Sequence, residues 1–327
     1  MAPPVLRVFA SIKGGVGKST LAVTCARLLA ARGRACVVLD MDFTGTSLAD
    51  GLDLRPSLLD EDLTPRTDQE RGVSAWLSAE ETALRRARRR DARHDGAGRF
   101  LPYLNDLMTR HVPQEEAYPI ERFFWRSDDD GVRYLPSSPL RADVEVAADW
   151  LLDGEGGYIQ HIAWMLDRVQ RAVPDLRDVV IDLPPGTVGF SHEVLALAST
   201  LDLRRPLPEG YPPWEPSREA WEVHVSLVTS EDRNDYRPAL DYVAYRAAAL
   251  PSLRALFNRG ERSLQELRKI TKAHFSEAGA LGIEDRVRRI PNDPYALARI
   301  FRDPARLDLA PTMRDEVERA LGIGGVE

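Results

Sequence analysis

Eight consecutive residues, Lys13-Gly14-Gly15-Val16-Gly17-Lys18-Ser19-Thr20, constrain this chain more than any other feature. They follow Val5 to Ile12, a β-branched and apolar run that reads as a buried strand over 5–12. An apolar helical pattern from Leu21 to Ala31 comes directly after them. Strand, glycine loop and helix is the context in which a loop can wrap a phosphate. Glycines let backbone N–H groups turn inward, and the helix start adds the positive end of its dipole. Gly14, Gly15, Val16, Gly17 and Thr20 then belong to the nucleotide-binding loop. Lys18 is placed to reach β- and γ-phosphates, and the Ser19 hydroxyl to ligate Mg²⁺.

Phosphate loops of the general pattern carry glycine where this chain has Ile12, and they lack a lysine directly before the double glycine. Lys13 in that place resembles the deviant Walker A motif, KGGxGK[ST], of the ParA/MinD/Mrp family of dimeric ATPases. The resemblance implies ATP and Mg²⁺ as cofactors and slow, partner-stimulated ATP hydrolysis. It implies a homodimer in the ATP-bound state, with Lys13 crossing the interface to the partner's nucleotide. Arg34 to Asp42 reads as a second strand ending in two acids. By resemblance, Asp42 orients the attacking water and Asp40 supports the metal shell. Asp178-Val-Val-Ile-Asp182-Leu-Pro-Pro-Gly186-Thr187 is similar to the family's Walker B strand and switch loop, with Asp182 serving Mg²⁺. Leu253 to Arg259 resembles the strand whose terminal Asn258 reads the adenine edge. Pro291 and Asn292 resemble the loop that flanks the base, although a solvent-facing turn explains Asn292-Asp293 equally well.

Strands alternate with helices along most of the chain. Strands are expected at 5–12, 35–40, 178–183, 222–229, 253–258 and 286–290, and the strand-to-loop segment Val132 to Pro139 resembles the family's short strand and the loop after it. Helices are expected at 19–32, 157–173, 235–249, 261–277, 294–302 and 312–321. That order predicts an α/β fold: a mostly parallel, doubly wound sheet flanked by helices, a P-loop NTPase fold with a long insertion. One domain over 1–327 is expected, with atypical insertions at about 55–130 and 201–221. The first insertion contains six arginines between Arg85 and Arg93. A solvated helix paired with Glu80 and Glu81 accounts for that run, and so does a contact with DNA phosphates. In and beside the second insertion, loop packing is favoured for Trp214 and Trp221 over a docking role.

Net charge is −7, so DNA contact would be confined to a local patch, either the 85–93 run or Arg262, Arg268, Lys269 and Lys272. Only four of the 44 basic residues are lysines, and two of them lie in the glycine loop. No run approaches the roughly 18 apolar residues of a membrane span, and the start lacks a secretory layout, so a cytoplasmic location is expected. Met313, Val317 and Leu321 form a stripe near the C-terminus. The surrounding charges are acidic, which disfavours a membrane anchor and favours core packing. The two cysteines, Cys25 and Cys36, lie among apolar neighbours, and none follows Cys36. An iron–sulfur carrier of this family would need a C-terminal cysteine pair, so no iron–sulfur cluster is expected. The reading is an ATP-driven dimer switch with an activating protein partner, acting in partitioning or positioning of a DNA or protein cargo. The alternatives are a protein-only regulatory switch, or a ligase-like enzyme on the same scaffold.

Overall fold

The structure, a computed structural model, describes residues 3–43, 48–58, 93, 99–108, 120–127, 130–141, 143–145, 147–148, 157–205, 221–275, 282–303 and 309–323. Its centre is an eight-stranded sheet in the order β3-β4-β2-β5-β1-β6-β7-β8. The strands are β1 (Val5–Ser11), β2 (Ala35–Asp40), β3 (Trp125–Arg126), β4 (Arg133–Leu135), β5 (Leu176–Pro185), β6 (Glu222–Thr229), β7 (Leu253–Gly260) and β8 (Val287–Pro291). Every neighbouring pair is parallel except β3 with β4. All seven residues of β1 are buried. A strand covered on both faces has no polar side to show, so its sequence is nearly continuous in apolar residues.

Alternation along the strands sends side chains into two cores. Leu6, Val8, Leu39, Val179, Ile181 and Val225 point to one face. There they meet α4 (Gly157–Ala172), α5 (Phe190–Asp202), α6 (Arg233–Arg246) and α7 (Leu264–Phe275). Phe9, Cys36, Val38, Val180 and Leu256 point to the other, against α1 (Lys18–Ala31), α8 (Pro294–Arg302) and α9 (Pro311–Ala320). On α4 the apolar positions Ile162, Leu166 and Val169, continued by Val173 just past its end, recur at helical spacing and are fully buried. Truncating one of them to alanine costs about 2–5 kcal/mol. This is the doubly wound sheet that the alternation of elements predicts.

The stripe on α9 packs inward: Val317 and Leu321 are buried in the second core, and Met313 lies against it. Among the described residues no helix is long and apolar enough to cross a membrane.

Described pieces of the long insertion also join the cores. A single helical turn, α2 (Leu48–Gly51), precedes it, and a short helix, α3 (Leu104–Met108), lies within it. Leu104, Leu107, Phe123 and Phe124 enter the first core, and Leu54, Tyr103 and Trp125 enter the second. Arg93, the last arginine of the basic run, is fully buried. It forms ion pairs with Asp106 and with Asp143 (2.6 Å), and its guanidinium lies 4.5 Å from the rings of both Phe100 and Tyr103. Neither reading of the basic run fits this residue, which is a core cation. Residues 85–90 lie outside the described residues, as does Trp214. Trp221 is buried beside β6, as loop packing requires.

Candidate functional site

The carboxyl ends of β1, β5 and β2 lie side by side, and each delivers one part of the site. The loop after β1 reaches α1 through Gly15 and Gly17, both at positive φ (80° and 85°), where side-chain-bearing residues are strained. Gly17 has a second reason to be glycine, because a Cβ there would collide with the Asn258 amide. Asn258, buried at the end of β7, donates from Nδ2 to the Val16 carbonyl at 2.8 Å and so ties the loop down. No side chain caps α1, and no acid sits in its first turn. Its first N–H groups and dipole end are therefore kept for an anion.

Lys18, the first residue of α1, is buried. Its Nζ donates to Asp182 Oδ1, lies 3.5 Å from the Ser19 hydroxyl and 4.0 Å from Asp42. Asp182 ends the apolar run of β5 and aligns with Asp40 on β2. Burial raises the Asp182 pKa, while Lys18 and the Ser19 hydroxyl oppose that rise. Asp40 is buried too, and burial together with the Asp182 charge pushes it up to about 7. Both Asp40 oxygens accept hydrogen bonds. They come from the amides of Asp42 (3.2 Å), Leu48 (2.8 Å) and Ser137 (3.2 Å) and from the Ser137 hydroxyl (2.8 Å). Asp40 thereby fixes the backbone that presents Asp42.

The switch loop follows β5. Gly186, at φ 99°, donates its N–H to the Ser11 carbonyl at 2.7 Å, and Val188 is 81% exposed. Lys13 stands on the rim, 48% exposed, 2.8 Å from Asp235 at the start of α6. The Lys13 ammonium and the Ser230 hydroxyl hold the Asp235 carboxyl below its ordinary range. Pro291 and Asn292 sit farther off, at the end of β8, where the Asn292 amide donates to the Gly260 carbonyl at 3.2 Å. The structure thus gathers Gly14 to Thr20, Asp40, Asp42, Asp182 and Asn258, while Pro291 and Asn292 pair with Gly260 at the end of β7. Ser137 lies in the Val132 to Pro139 segment that resembles a family element, but the sequence marks neither it nor Asp235 as a site residue. Their roles depend on contacts 97 and 222 residues away along the chain.

The donor set fits a divalent cation held beside a phosphate. Asp182 Oδ2 is buried and accepts no hydrogen bond, and the Ser19 hydroxyl and Asp42 lie around the same lysine. Among the described residues no group of three or more His, Cys, Asp or Glu side chains could hold a metal by itself. Mg²⁺ at phosphate sites typically relies on one or two protein oxygens completed by water and phosphate.

A glycine loop between a buried strand and an uncapped helix, with carboxylates on the adjacent parallel strands, defines a P-loop nucleotide-binding protein. A family model described as "ParA: NUBPL iron-transfer P-loop NTPase" matches residues 5–78. An iron–sulfur cluster carrier protein of Bacillus subtilis is 45% identical over 65 residues, 19% of this chain and 18% of the relative. The match therefore spans less than a fifth of that relative's length. Among solved structures, an ATP complex of a Cyanothece McdA variant aligns over 100% of both chains with TM-score 0.55 and 13% identity. A Borrelia burgdorferi plasmid partition protein bound to AMPPNP aligns over 98% of both chains with TM-score 0.53 and 16% identity. The cell division ATPase MinD of Pyrococcus furiosus aligns over 98% of both with TM-score 0.51 and 14% identity. At these identities the structural likeness speaks for the fold. Residues 5–78 thus match the ParA family model, and the fold as a whole is the one shared by ParA/MinD-type P-loop ATPases.

One expectation is overturned. The lack of a C-terminal cysteine pair argued against an iron–sulfur cluster, yet both the family model and the curated relative are described by iron or iron–sulfur transfer. A missing pair speaks to one way of holding a cluster, not to the association itself.

Proposed function

We propose that this protein is an ATP-hydrolysing dimer switch, slow until an activating protein partner engages it, that positions or partitions a DNA or protein cargo in the cytoplasm. The observation that carries the reading is the division of charge around the loop. Lys18 is buried among the carboxylates, while Lys13 is half exposed on the rim and, among the described residues, held by one side-chain ion pair. An incoming nucleotide offers β- and γ-phosphates that compete with Asp182 for Lys18. Release of Asp182, with its unpartnered Oδ2, leaves it and the Ser19 hydroxyl to hold Mg²⁺. That ion would neutralise charge building on the phosphate oxygens. Asp42, its backbone fixed by Asp40, orients the attacking water. The unpartnered carbonyl of Asn258 offers an acceptor for an adenine amino group, and Pro291 and Asn292 flank the base.

Light scattering with ATP and Mg²⁺ tests the switch. Asp42→Ala should bind ATP, stall hydrolysis and accumulate as a dimer, whereas Lys13→Ala should bind ATP and stay monomeric. One mass for wild type and both variants, whatever the nucleotide, would exclude the mechanism.

The N-terminal sequence match favours a second reading, iron–sulfur transfer with the cluster as cargo. The only thiols are Cys25 and Cys36, on α1 and β2. Anaerobic reconstitution with iron and sulfide tests it. Iron retained by wild type and lost from Cys25→Ser or Cys36→Ser supports this reading, and no retention removes it.

A further inference from the structure

At the β3 edge of the sheet, away from the nucleotide loop, three arginines form one row. Arg55 and Arg126 exchange backbone hydrogen bonds of 2.7 and 3.1 Å as an isolated antiparallel bridge. Arg126 in turn faces Arg133 across the β3–β4 pair. Directly opposed residues of antiparallel strands point to the same face, with Cβ atoms about 4.5–5.5 Å apart. The three guanidinium groups therefore leave the backbone on one side as near neighbours. Arg133 aligns with Val37, three residues before Asp40, which sets the row roughly 10 Å back along the strands and away from the carboxyl ends. The three arginines line a cavity of about 600 Å³, together with Ser57, Glu121 and Phe124.

Like charges opposed across a strand pair destabilise it. Among the described residues nothing offsets this pair, since neither Arg126 nor Arg133 makes an ion pair. What acts on Arg133 is burial and the charge of Arg126, both of which lower its pKa. Asp130, the described acid nearest to Arg133 in sequence, is engaged elsewhere. Its carboxylate accepts from the Val132 amide (2.9 Å), the Tyr134 hydroxyl (2.5 Å) and Arg27 Nε (2.9 Å). Among the described residues Glu121 is the one acid of the lining. The described lining is concave and carries three arginines against one acid, and its opposed cations gain most from a multiply charged anion.

We propose that this cavity is a second anion site, separate from the nucleotide loop, which takes the phosphate group of a small phosphorylated molecule on Arg126 and Arg133, with Arg55 at its rim. Guanidinium forks match phosphate oxygens two at a time, which a point charge cannot do. The volume admits a ligand larger than the phosphate alone.

Pyrophosphate is the probe. It is titrated calorimetrically into protein saturated with Mg-ADP, so that the P-loop is filled, and hydrogen exchange is followed with and without it. The expected result is one further pyrophosphate per chain, slowed exchange over residues 120–135, and weaker binding as salt rises. Arg126→Gln/Arg133→Gln should lower that affinity about tenfold or more. The same variant should leave ADP affinity unchanged and keep or raise the Tm without ligand, because a repulsion is removed. The proposal is overturned if pyrophosphate gives no heat beyond the P-loop, if protection maps to residues 13–20, or if the double variant binds as wild type does. A short DNA duplex is the other arm. Protection of 120–135 by duplex and not by pyrophosphate overturns the small-molecule assignment.

Discussion

Lys13 and Lys18 differ in how their charge is held, and that difference sets what each substitution can report. Lys18 is 6% exposed and lies against Asp182 and Asp42, so its removal leaves buried carboxylates without their cation. Lys13 is 48% exposed, and its pair with Asp235 is of the surface kind, worth about 0.2–1 kcal/mol. A latch that weak holds a rim lysine in place without blocking its release. If Lys13 must leave Asp235 to reach a second subunit, Asp235→Asn removes that small opposition. Both subunits release a latch on pairing, so dimer formation with ATP should then strengthen by up to about 30-fold, the factor that twice 1 kcal/mol corresponds to. Analytical ultracentrifugation at graded protein concentrations measures it. Weaker association in Asp235→Asn would mean that Asp235 supports the interface instead of restraining Lys13.

At the scale of elements, the insertion is anchored by one buried cation. Arg93 is enclosed by two carboxylates and two aromatic rings and brings together α3, the segment before it and Asp143. Burying such a group yields little net stability, but removing one partner strands the other charges. Arg93→Met should therefore cost about 3–5 kcal/mol in urea unfolding, while the triple change with Asp106→Asn and Asp143→Asn should recover part of the loss. A single-variant cost under 1 kcal/mol would show that the cluster is solvated. This element also marks the limit of legibility in the sequence. Strands β1, β2 and β5 through β8 and the long helices were readable, because burial on both faces writes continuous apolar runs and one-sided burial writes a helical period. The phosphate loop was readable because its chemistry is local. β3 has only two residues, too few to carry a period. Arg93 sits in a run that reads as solvated, and its burial is decided by Asp143, fifty positions on. Ser137 under Asp40 and Asp235 beside Lys13 have the same cause, since each is defined by a partner that only the folded sheet brings near.

For the whole molecule, the two cysteines report how tightly the nucleotide site is coupled to the fold. Cys25 on α1 and Cys36 on β2 are 0% exposed in the core directly behind the phosphate loop. Burial pushes the Cys25 thiol up to about 12 and raises Cys36 as well. Alkylation needs the thiolate, so at pH 8 the native state offers almost none, and both residues react only when α1 lifts from the sheet. Any ligand that binds only the closed form lowers the open population by the factor 1 + [L]/Kd. Mg-ATP at about 100 times its Kd should therefore slow iodoacetamide labelling of Cys25 and Cys36 roughly 100-fold. Lys18→Ala should lose that protection at the same ATP concentration, because the phosphates lose their buried cation. Mass spectrometry of labelled peptides reads both sites separately. Equal labelling with and without Mg-ATP in wild type would mean that α1 opens without involving the loop at its start. Protection surviving in Lys18→Ala would place the nucleotide somewhere other than Gly14 to Thr20.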